Sequence, residues 1–471
     1  MNPFDTAIWL VYLASAVCFV LGLHLMNAPP TARRGNTLSA AGMVAAIAAT
    51  LVLLVHSGTV SVTGWIVLTA GAVVGTTAGW YLARTVAMTA MPQLVSLFNA
   101  AGGGAAALIA VHEFLRADGG TLPTGVALAV VLDVVIGAIT FSGSLVASGK
   151  LQGIVASRPV VFPGVRVVNG LLAAVTVGGG AYLVAGRGGP AVLAIVAVAA
   201  LLSGVAIVMP IGGADMPVVI SLLNAFTGTA VAMAGFVIGN TVLIIAGALV
   251  GASGGILTKL MADAMNRSIV SIMAGGFGTG DSVAPRDGAQ ASVRAVSADD
   301  AAIQLAYAGK VIIVPGYGLA AAQAQHEVRE LAELLESRGV DICYAIHPVA
   351  GRMPGHMNVL LAEANVPYGQ LLEMDEVNPQ FARADVALVI GANDVINPAA
   401  RRPGNPVSGM PILDVDHARS VIVIKRSMGH GYAGIDNELY TDPKTSMYFA
   451  DAKKGLAELA AAVKTLVGGS P

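Results

Sequence analysis

Three small residues form a pattern that is typical of a nucleotide-binding turn. Gly316, Gly318 and Ala321 follow the apolar run 311–314 as Gly-x-Gly-x-x-Ala. The glycines permit a tight turn and the close approach of a phosphate, and amide groups at the start of a following helix supply partial positive charge. Many strand-to-helix turns contain glycine and bind nothing. The strand before this turn and the helical pattern after it nevertheless favour a dinucleotide site.

A basic triplet, Lys425, Arg426 and Ser427, follows a second apolar run at 421–424. Two cations and a hydroxyl at the carboxyl end of a strand can hold a phosphate monoester, with the guanidinium binding it through two donors and the ammonium acting as a point charge. A solvated basic loop explains the triplet equally well if it is taken alone. Together with a glycine turn in the same sheet, the triplet favours the 2′-phosphate of NADP(H) over NAD(H).

Three further loops are predicted at the same sheet edge. His347 to Arg352 follow the run 341–346, Gly391 to Asp394 follow the run 386–390, and the glycine-rich segment 429–434 can fold over a ligand as a lid. Each loop alone is explained by turn chemistry, because Gly, Asn and Asp are common turn residues. Several such loops at one edge are better explained by a binding site.

The elements that position these loops alternate between short apolar runs and amphipathic stretches. This alternation predicts a parallel, doubly wound α/β sheet that binds ligands at the carboxyl ends of its strands. Ser297 and Asp300 form a capping-box pattern that predicts a helix start near the beginning of this domain, which we place at 291–471. The predicted strands are 311–314, 341–346, 386–390 and 421–424, and the predicted helices include 319–337 and 451–467.

The first 261 residues have a different composition. They hold only 9 of the 26 Lys and Arg residues and 5 of the 28 Asp and Glu residues. So few charges cannot coat a soluble domain, and apolar runs of about 18 to 25 residues match the thickness of a bilayer. We therefore predict a membrane domain over 1–261 and a linker over 262–290. The predicted spans are 7–26, 38–56, 64–82, 91–114, 123–147, 165–185, 190–209, 215–236 and 240–261.

The distribution of positive charge in the short loops predicts the orientation. If the N-terminus lies outside, the cytoplasmic segments carry eight cations and the outer loops carry only Arg116 and Arg187, which satisfies the positive-inside bias. An odd number of spans then places the C-terminal domain in the cytoplasm. The eight cytoplasmic cations are Arg33, Arg34, Arg84, Lys150, Arg158, Arg166, Lys259 and Arg267.

Polar groups inside the spans are candidates for a proton path, because ionisable residues are costly in a bilayer. Asn99, Asp133 and Asn224 each lie about 12 to 15 Å from the start of their spans at 1.5 Å per residue, so they could share one layer. Ser144, like Ser142, lies further along the fifth span, where a hydroxyl bonded to its own helix is the alternative interpretation. Asp215 begins the eighth span and could simply cap that helix.

The two cysteines, Cys18 and Cys343, are too few for a disulfide framework or a thiolate site. His24, His56 and His112 fall near span ends without metal-binding spacing. We therefore predict no metal site, and we expect no nucleic-acid partner.

Several strings of residues together resemble the β subunit of proton-translocating NAD(P) transhydrogenase, and the resemblance covers nearly the whole chain. They are Gly316 to Gln325, His347 to Asn358, Gly391 to Ala400, Lys425 to Gly434 and, in the membrane half, Ile211 to Pro217. The resemblance implies a multi-span α-helical membrane bundle followed by a Rossmann-like sheet domain. It also implies that the sheet domain binds NADP(H) in an inverted orientation.

The resemblance further implies an enzyme that couples inward proton flow to Si/Re-face-specific hydride transfer from NADH to NADP⁺. NAD(H) would bind a separate α-type subunit, the complex would be a dimer of αβ units in the inner membrane, and this chain would not turn over alone. Asp394, near the nicotinamide end, is the residue assigned to catalysis. The candidate cofactor-binding residues are Gly316, Tyr317, Gly318, Ala321, His347, Arg352, Gly391, Asn393, Asp394, Lys425, Arg426, Ser427, Gly431 and Tyr432. The candidate proton-path residues are Asn99, Asp133, Ser144, Asp215 and Asn224, of which the resemblance favours Asp215.

One position departs from the family pattern. Asn99 stands where many members have a histidine, eight residues after Met91. A neutral amide cannot carry the proton, so we predict a split α subunit whose small membrane partner supplies the histidine. Asp133, which is not carried over from the family, is the alternative proton carrier, and a carboxyl bonded to a neighbouring Ser or Asn is the competing explanation.

Two other classes of protein also join a membrane bundle to such a sheet. A channel or transporter gated by a nucleotide-sensing domain would bind nucleotide without redox exchange. A membrane dehydrogenase that reduces quinone would need flavin, haem or iron-sulfur ligands, for which the two distant cysteines and scattered histidines offer no set.

Overall fold

The computed structural model forms two compact units, which are described separately. The first comprises Met1–Pro210 and Val219–Thr258, and the second comprises Ile211–Val218 and Lys259–Pro471. Most of the linker predicted over 262–290 lies outside the described residues, although a short helix occupies Ile269–Met273. The structure describes residues 3–26, 28–87, 90–117, 122–156, 159–160, 164–212, 215–265, 268–273, 293–351, 355–405, 407–431 and 433–468.

Within these described ranges, nine helices are long and apolar enough to cross a membrane. All nine predicted spans are confirmed as helices, and the chain is a multi-pass membrane protein. Several helices extend beyond the predicted apolar run, because a helix can continue after its apolar residues end. The helices are α1 (Pro3–Leu25), α2 (Pro29–Ser57), α3 (Val62–Thr85), α4 (Met91–Arg116), α5 (Thr124–Gln152), α6 (Val165–Val184), α7 (Pro190–Val208), α8 (Met216–Ile238) and α9 (Thr241–Ala264).

Glycines allow several of these helices to approach closely. A Cβ atom placed on Gly137 of α5 would lie 2.5 Å from the carbonyl oxygen of Gly103 on α4, and one placed on Gly180 of α6 would lie 2.8 Å from a methyl carbon of Val131. Small residues at helix crossings let backbones pack without voids in lipid. The glycine-rich stretches at 102–104 and 178–180 are therefore packing points rather than helix breaks.

The second unit contains a six-stranded parallel sheet with the strand order β3-β2-β1-β4-β5-β6. The order reverses between β1 and β4, so the loops after these two neighbouring strands lead to opposite sides of the sheet. The predicted doubly wound fold is confirmed. The strands are β1 (Lys310–Pro315), β2 (Asp341–Ile346), β3 (Leu371–Glu373), β4 (Val386–Ile390), β5 (Ser420–Lys425) and β6 (Thr445–Phe449).

Helices flank the sheet, and two of them lie where the sequence predicted a helix. The capping box is present at the first of them, where the Ser297 hydroxyl accepts from the amide of Asp300 and the carboxylate accepts from the amide of Ser297. The predicted C-terminal helix is also confirmed. The helices of this unit after α10 (Ile269–Met273) are α11 (Ala298–Ala306), α12 (Tyr317–Ala321), α13 (Gln325–Glu336), α14 (His356–Glu363), α15 (Met374–Phe381) and α16 (Ala452–Gly468).

The prediction of a single helix over 319–337 is wrong, because the chain forms two helices there. Between α12 and α13, Gln323 adopts a left-handed backbone with φ of 51°. The amide of Ala324 then donates to the carbonyl of Leu319, which closes α12. Helical periodicity continues across this break in the sequence, so the pattern alone could not show it.

Candidate nucleotide-binding cleft

A cleft of about 490 Å³ opens at the carboxyl ends of β1, β4 and β5. It lies at the point where the strand order reverses, which is where doubly wound sheets bind their ligands. Five separate loops contribute to its walls. Four of them follow β1, β2, β4 and β5, as the sequence pattern predicted for one sheet edge, and the fifth follows β6 at Ala450. Of the predicted cofactor residues, Gly316, Tyr317, Gly318, Ala321, Gly391, Asn393, Asp394, Lys425, Arg426, Ser427 and Gly431 line it.

The glycines let the loops after β1 and β4 cross in direct contact. The amide of Gly316 donates to the carbonyl of Ile390 at 2.9 Å, and the amide of Gly318 donates to the carbonyl of Gly391 at 3.0 Å. A Cβ atom on Gly318 would lie 2.6 Å from the Cα of Gly391, which itself has a φ of 63°. Side chains are therefore excluded where the two loops cross, at Gly316, Gly318 and Gly391, and the backbone there stays open to a ligand.

The basic triplet forms another part of the cleft wall. Lys425 is half-buried, and its ammonium donates to the carbonyl of Gly429 at 2.5 Å and lies 4.5 Å from the centre of the Tyr440 ring. Burial lowers the pKa of Lys425, while the carboxylates of Asp394 and Asp436 oppose this shift. Arg426 and Ser427 are exposed at the mouth of the cleft. This wall can thus present two cations and a hydroxyl to an anionic group.

Tyr440 is a supporting residue that the sequence motifs did not reveal. Its hydroxyl donates to the carbonyl of Ala392 at 2.8 Å, and its ring supports the ammonium of Lys425. Burial, together with the negative charge of Asp394, raises the pKa of Tyr440 well above its ordinary value, so the phenol keeps its proton. Tyr440 therefore links the loop after β4 to the basic wall. No motif marks it, because the contact joins residues far apart in sequence.

Asn437 supports the same loop. Its amide nitrogen donates to the carbonyl oxygen of Asn393 at 3.0 Å and to the side-chain oxygen of Asn393 at 3.1 Å. Asn437 is 4% exposed. Its position beneath a lining residue fixes the shape of the loop that leads to Asp394.

Two described residues of the glycine-rich segment 429–434, Gly431 and Ala433, lie against Asp394. One carboxylate oxygen of Asp394 accepts from the amide of Ala433 at 3.0 Å. A Cβ atom on Gly431 would lie 2.3 Å from the other oxygen, so no side chain fits at this position without movement. Asp394 thus binds this segment through the backbone amide of Ala433.

His347 does not line the cleft. Its Nδ1 accepts from the amide of Val349 at 3.2 Å, so Nε2 carries the proton and donates to the carbonyl of Pro411 at 2.8 Å. Burial lowers the pKa of His347 to about 4, which keeps the ring neutral near pH 7. The ring holds the loop whose Val349 and Gly351 line the cleft. Arg352 and Tyr432 lie outside the described residues.

The candidate proton-path residues lie in different surroundings. Asp133, Ser144 and Asp215 are fully buried, and Asp215 directly precedes α8. Asn99 donates to the carbonyl of Ile220 at 3.3 Å, and Asn224 is half-buried. A common layer of Asn99, Asp133 and Asn224 stays a prediction.

Of the two serines in α5, Ser142 is bonded to its own helix, which was the alternative to a role in the proton path. The hydroxyl of Ser142 donates to the carbonyl of Ala138 on its own helix and to that of Leu201 on α7. The buried hydroxyl of Ser144 has no hydrogen-bond partner among the described residues. Within the same part of the chain, no group of three or more His, Cys, Asp or Glu side chains could hold a metal ion.

Comparison with known proteins accounts for nearly the whole chain. The family described as NAD(P) transhydrogenase beta subunit matches residues 8–462. The curated NAD(P) transhydrogenase subunit beta of Rhodospirillum rubrum is 49% identical over 452 residues, which cover 94% of this chain and 96% of that subunit. The resemblance inferred from the sequence motifs is confirmed. The chain therefore belongs to the NAD(P) transhydrogenase beta subunit family, whose members are oxidoreductases.

Proposed function

We propose that this chain binds NADP(H) in the cleft and exchanges hydride with NAD(H) held by an α-type partner, while protons cross its membrane half. Two walls of the cleft carry this proposal. The crossing glycines at Gly316 and Gly391 expose backbone where a pyrophosphate could approach, and the triplet that starts at Lys425 faces the same space. A volume of about 490 Å³ suits a ligand of this size.

In this proposal the residues of the chain bind, orient and cover the cofactor. Arg426 and Ser427, with Lys425, hold the 2′-phosphate through charge-assisted hydrogen bonds. Asp394 lies near the nicotinamide end, and the segment 429–434 closes the cleft and excludes water. When bound, the nicotinamide supplies the hydride chemistry, including the Si/Re-face specificity, so no side chain needs to act as an acid or a base.

Coupling to the membrane half supplies the driving force. The two nicotinamides have nearly equal intrinsic potentials, so the direction must come from the membrane field, worth roughly 2.3 kcal/mol per charge per 100 mV. Proton binding in the bundle would alter NADP(H) affinity, and by linkage NADP(H) would alter proton affinity. Asn99, Ser144, Asp215 and Asn224 are the residues proposed to serve this path.

The assembly completes the proposal. The N-terminus lies outside, the sheet domain lies on the cytoplasmic side of the inner membrane, and the complex is a dimer of αβ units. Because Asn99 is neutral, the α subunit is split and its small membrane part supplies a histidine. Co-purification of the chain with both partner subunits tests this arrangement.

The decisive experiment uses the complete complex and compares Lys425→Ala and Arg426→Ala with the wild type. Loss of one charged hydrogen-bond donor costs about 1.5 to 3 kcal/mol. We therefore expect the KM for NADPH to rise at least about tenfold, while the KM for an NAD analogue stays unchanged. Lys454→Ala, on the exposed surface of α16, is the matched control. Equal effects on both nucleotides, or none, would contradict the proposal.

The same preparation separates the competing class of protein. A channel or transporter gated by nucleotide would show ion flux that depends on the nucleotide but no reduction of the NAD analogue by NADPH. Hydride exchange in membranes that contain all subunits would exclude it.

A further inference from the structure

The interface between α4 and α5 aligns the two helices in a regular antiparallel register. The hydroxyl of Ser96 on α4 donates to the carbonyl of Ser144 on α5 at 2.8 Å. Seven residues further along α4, Gly103 contacts Gly137, which lies seven residues before Ser144 on α5. One more helical turn in the same direction places Asp133 on this interface.

The described residues that the structure shows around this point of the interface are apolar. Gly137 packs against the Cβ of Ala107, and the next turn of α4 contains Ala110, which is completely buried. Ala110 belongs to an apolar cluster that also contains Val130 and Val134, the neighbours of Asp133 on α5. None of these described neighbours has a side chain that could stabilise a negative charge.

The carboxyl group of Asp133 has no partner in the part of the chain that the structure describes. The residue is 0% exposed, and neither of its two oxygens accepts or donates a hydrogen bond or joins an ion pair with a described residue. The other fully buried ionisable side chains of the spans and their ends differ in this respect. Lys150 donates to the carbonyl of Met209, and Asp215 also has an interaction partner.

The described helices that pack against α5 include α4, α6, α7 and α8. Their described ionisable side chains lie towards helix ends, and α7 and α8 have none. These side chains are His112, Glu113 and Arg116 on α4 and Arg166 and Tyr182 on α6. None of them pairs with Asp133, so no cation on the described parts of these helices compensates its charge.

We propose that Asp133 is a proton-binding site in the membrane half, where it alternates between the protonated and the ionised form during turnover. An ionised carboxylate without partners is strongly disfavoured in an apolar interior, so the resting form is the neutral acid. Even the neutral group carries an unsatisfied polar cost of about 1 to 3 kcal/mol. A leucine would avoid that cost, which argues for a role in function. This inference rests on the proposed proton translocation.

The step requires only proton movement. A water-borne proton forms an O–H bond with a carboxylate oxygen, and the same bond later breaks to return the proton to water, with no change in oxidation state. The α4–α5 interface offers polar atoms towards the Gln152 end of α5. The hydroxyl of Ser144, about 16 Å along the helix from Asp133, and the side-chain oxygen of Gln93 are both buried without hydrogen-bond partners among the described residues.

The test uses the complete complex in liposomes and compares Asp133→Asn and Asp133→Leu with the wild type. We expect both variants to bind NADP(H), but to lose the pH dependence that proton linkage gives this affinity and to lose proton uptake during hydride exchange by tenfold or more. Asp133→Leu should assemble at least as stably as the wild type, because it removes an unsatisfied polar group. Ser142→Ala, which removes a hydrogen-bonded hydroxyl from the same helix, is the control and should pump normally.

Infrared difference spectroscopy gives a readout that does not depend on activity. On exchange of NADP⁺ for NADPH, a carbonyl band of a protonated carboxyl group should change, disappear in Asp133→Asn and shift in Asp133→Glu. If Asp133→Asn and Asp133→Leu fail to assemble, the infrared band of Asp133→Glu decides the question. A shifted band supports the proposal, and an unshifted band overturns it.

Normal pumping by Asp133→Asn or Asp133→Leu would also overturn it. Failure of the proposed function would look different, because the wild-type complex itself would then show no NADP(H) binding or no proton movement.

Discussion

At the scale of single residues, the cleft depends on positions where a side chain is absent as much as on positions where one is present. Gly316 and Gly391 allow two loops to cross, and Gly431 lies directly over the carboxylate of Asp394. Gly431 has no positive φ, so its requirement is purely steric. An alanine at this position would therefore test the space around Gly431 without straining the backbone.

We expect Gly431→Ala to weaken NADP(H) binding about tenfold, because overpacking costs about 1 to 3 kcal/mol. The new methyl group would lie 2.3 Å from an oxygen of Asp394 and would displace the segment 429–434. Isothermal titration of the complete complex with NADP⁺ measures the effect. Gly369→Ala is the control, since a Cβ atom placed there would have no neighbour within 4 Å and the φ of Gly369 is not positive. Equal affinities for wild type and Gly431→Ala would contradict the assigned geometry.

At the scale of elements, one helix break and one close helix contact organise the chain. In the sheet domain, the left-handed Gln323 divides a stretch with continuous helical periodicity into α12 and α13. In the membrane half, α4 and α5 approach at Gly103 and Gly137 closely enough for backbone contact. The side chains that face this interface, including Asp133, owe their placement to that close approach.

We predict that Gly137→Ala destabilises the membrane half by about 1 to 3 kcal/mol, because its Cβ would lie 2.5 Å from a backbone oxygen that cannot move aside. Thermal unfolding of the complex in detergent should show a lower melting temperature. Gly125→Ala on the same helix has open space around it and should melt like the wild type. A Gly137→Ala variant as stable as Gly125→Ala would show that the two helices are further apart.

At the scale of the whole molecule, one chain joins a bundle that can cross a membrane to a sheet domain with a nucleotide-type cleft. The cleft has loops for one dinucleotide, and the proposal places the second dinucleotide on a partner. NADP(H) binding should therefore need only this chain, whereas hydride transfer should need the partner subunits as well.

We expect the purified chain alone to bind NADPH but not to reduce an NAD analogue, and addition of the α-type subunits to restore reduction. Absorbance of the reduced analogue measures turnover, and NADPH fluorescence measures binding. The same reconstitution with Lys425→Ala is the control and should lose most turnover at low NADPH. Reduction by the chain alone would refute the division of cofactors between subunits.

The sequence by itself determined the features that depend on local composition. Nine apolar segments predicted nine helices, because the hydropathy of a span is a sum over neighbouring residues. Buried strands such as β1 and β4 were predicted from continuous apolar runs, and the Ser297 capping box marked a helix start. β3 and β6 were missed, because β3 has only three residues and β6 buries the polar Thr445 and Ser446.

Only the tertiary structure decided which distant residues meet. The requirement for glycine at Gly391 comes from the crossing with Gly318, and the role of Tyr440 comes from its contacts with Ala392 and Lys425. The burial of Asp133 among apolar groups likewise depends on how α4 packs against α5. Such contacts join elements that are far apart in the chain, so no local pattern in the sequence encodes them.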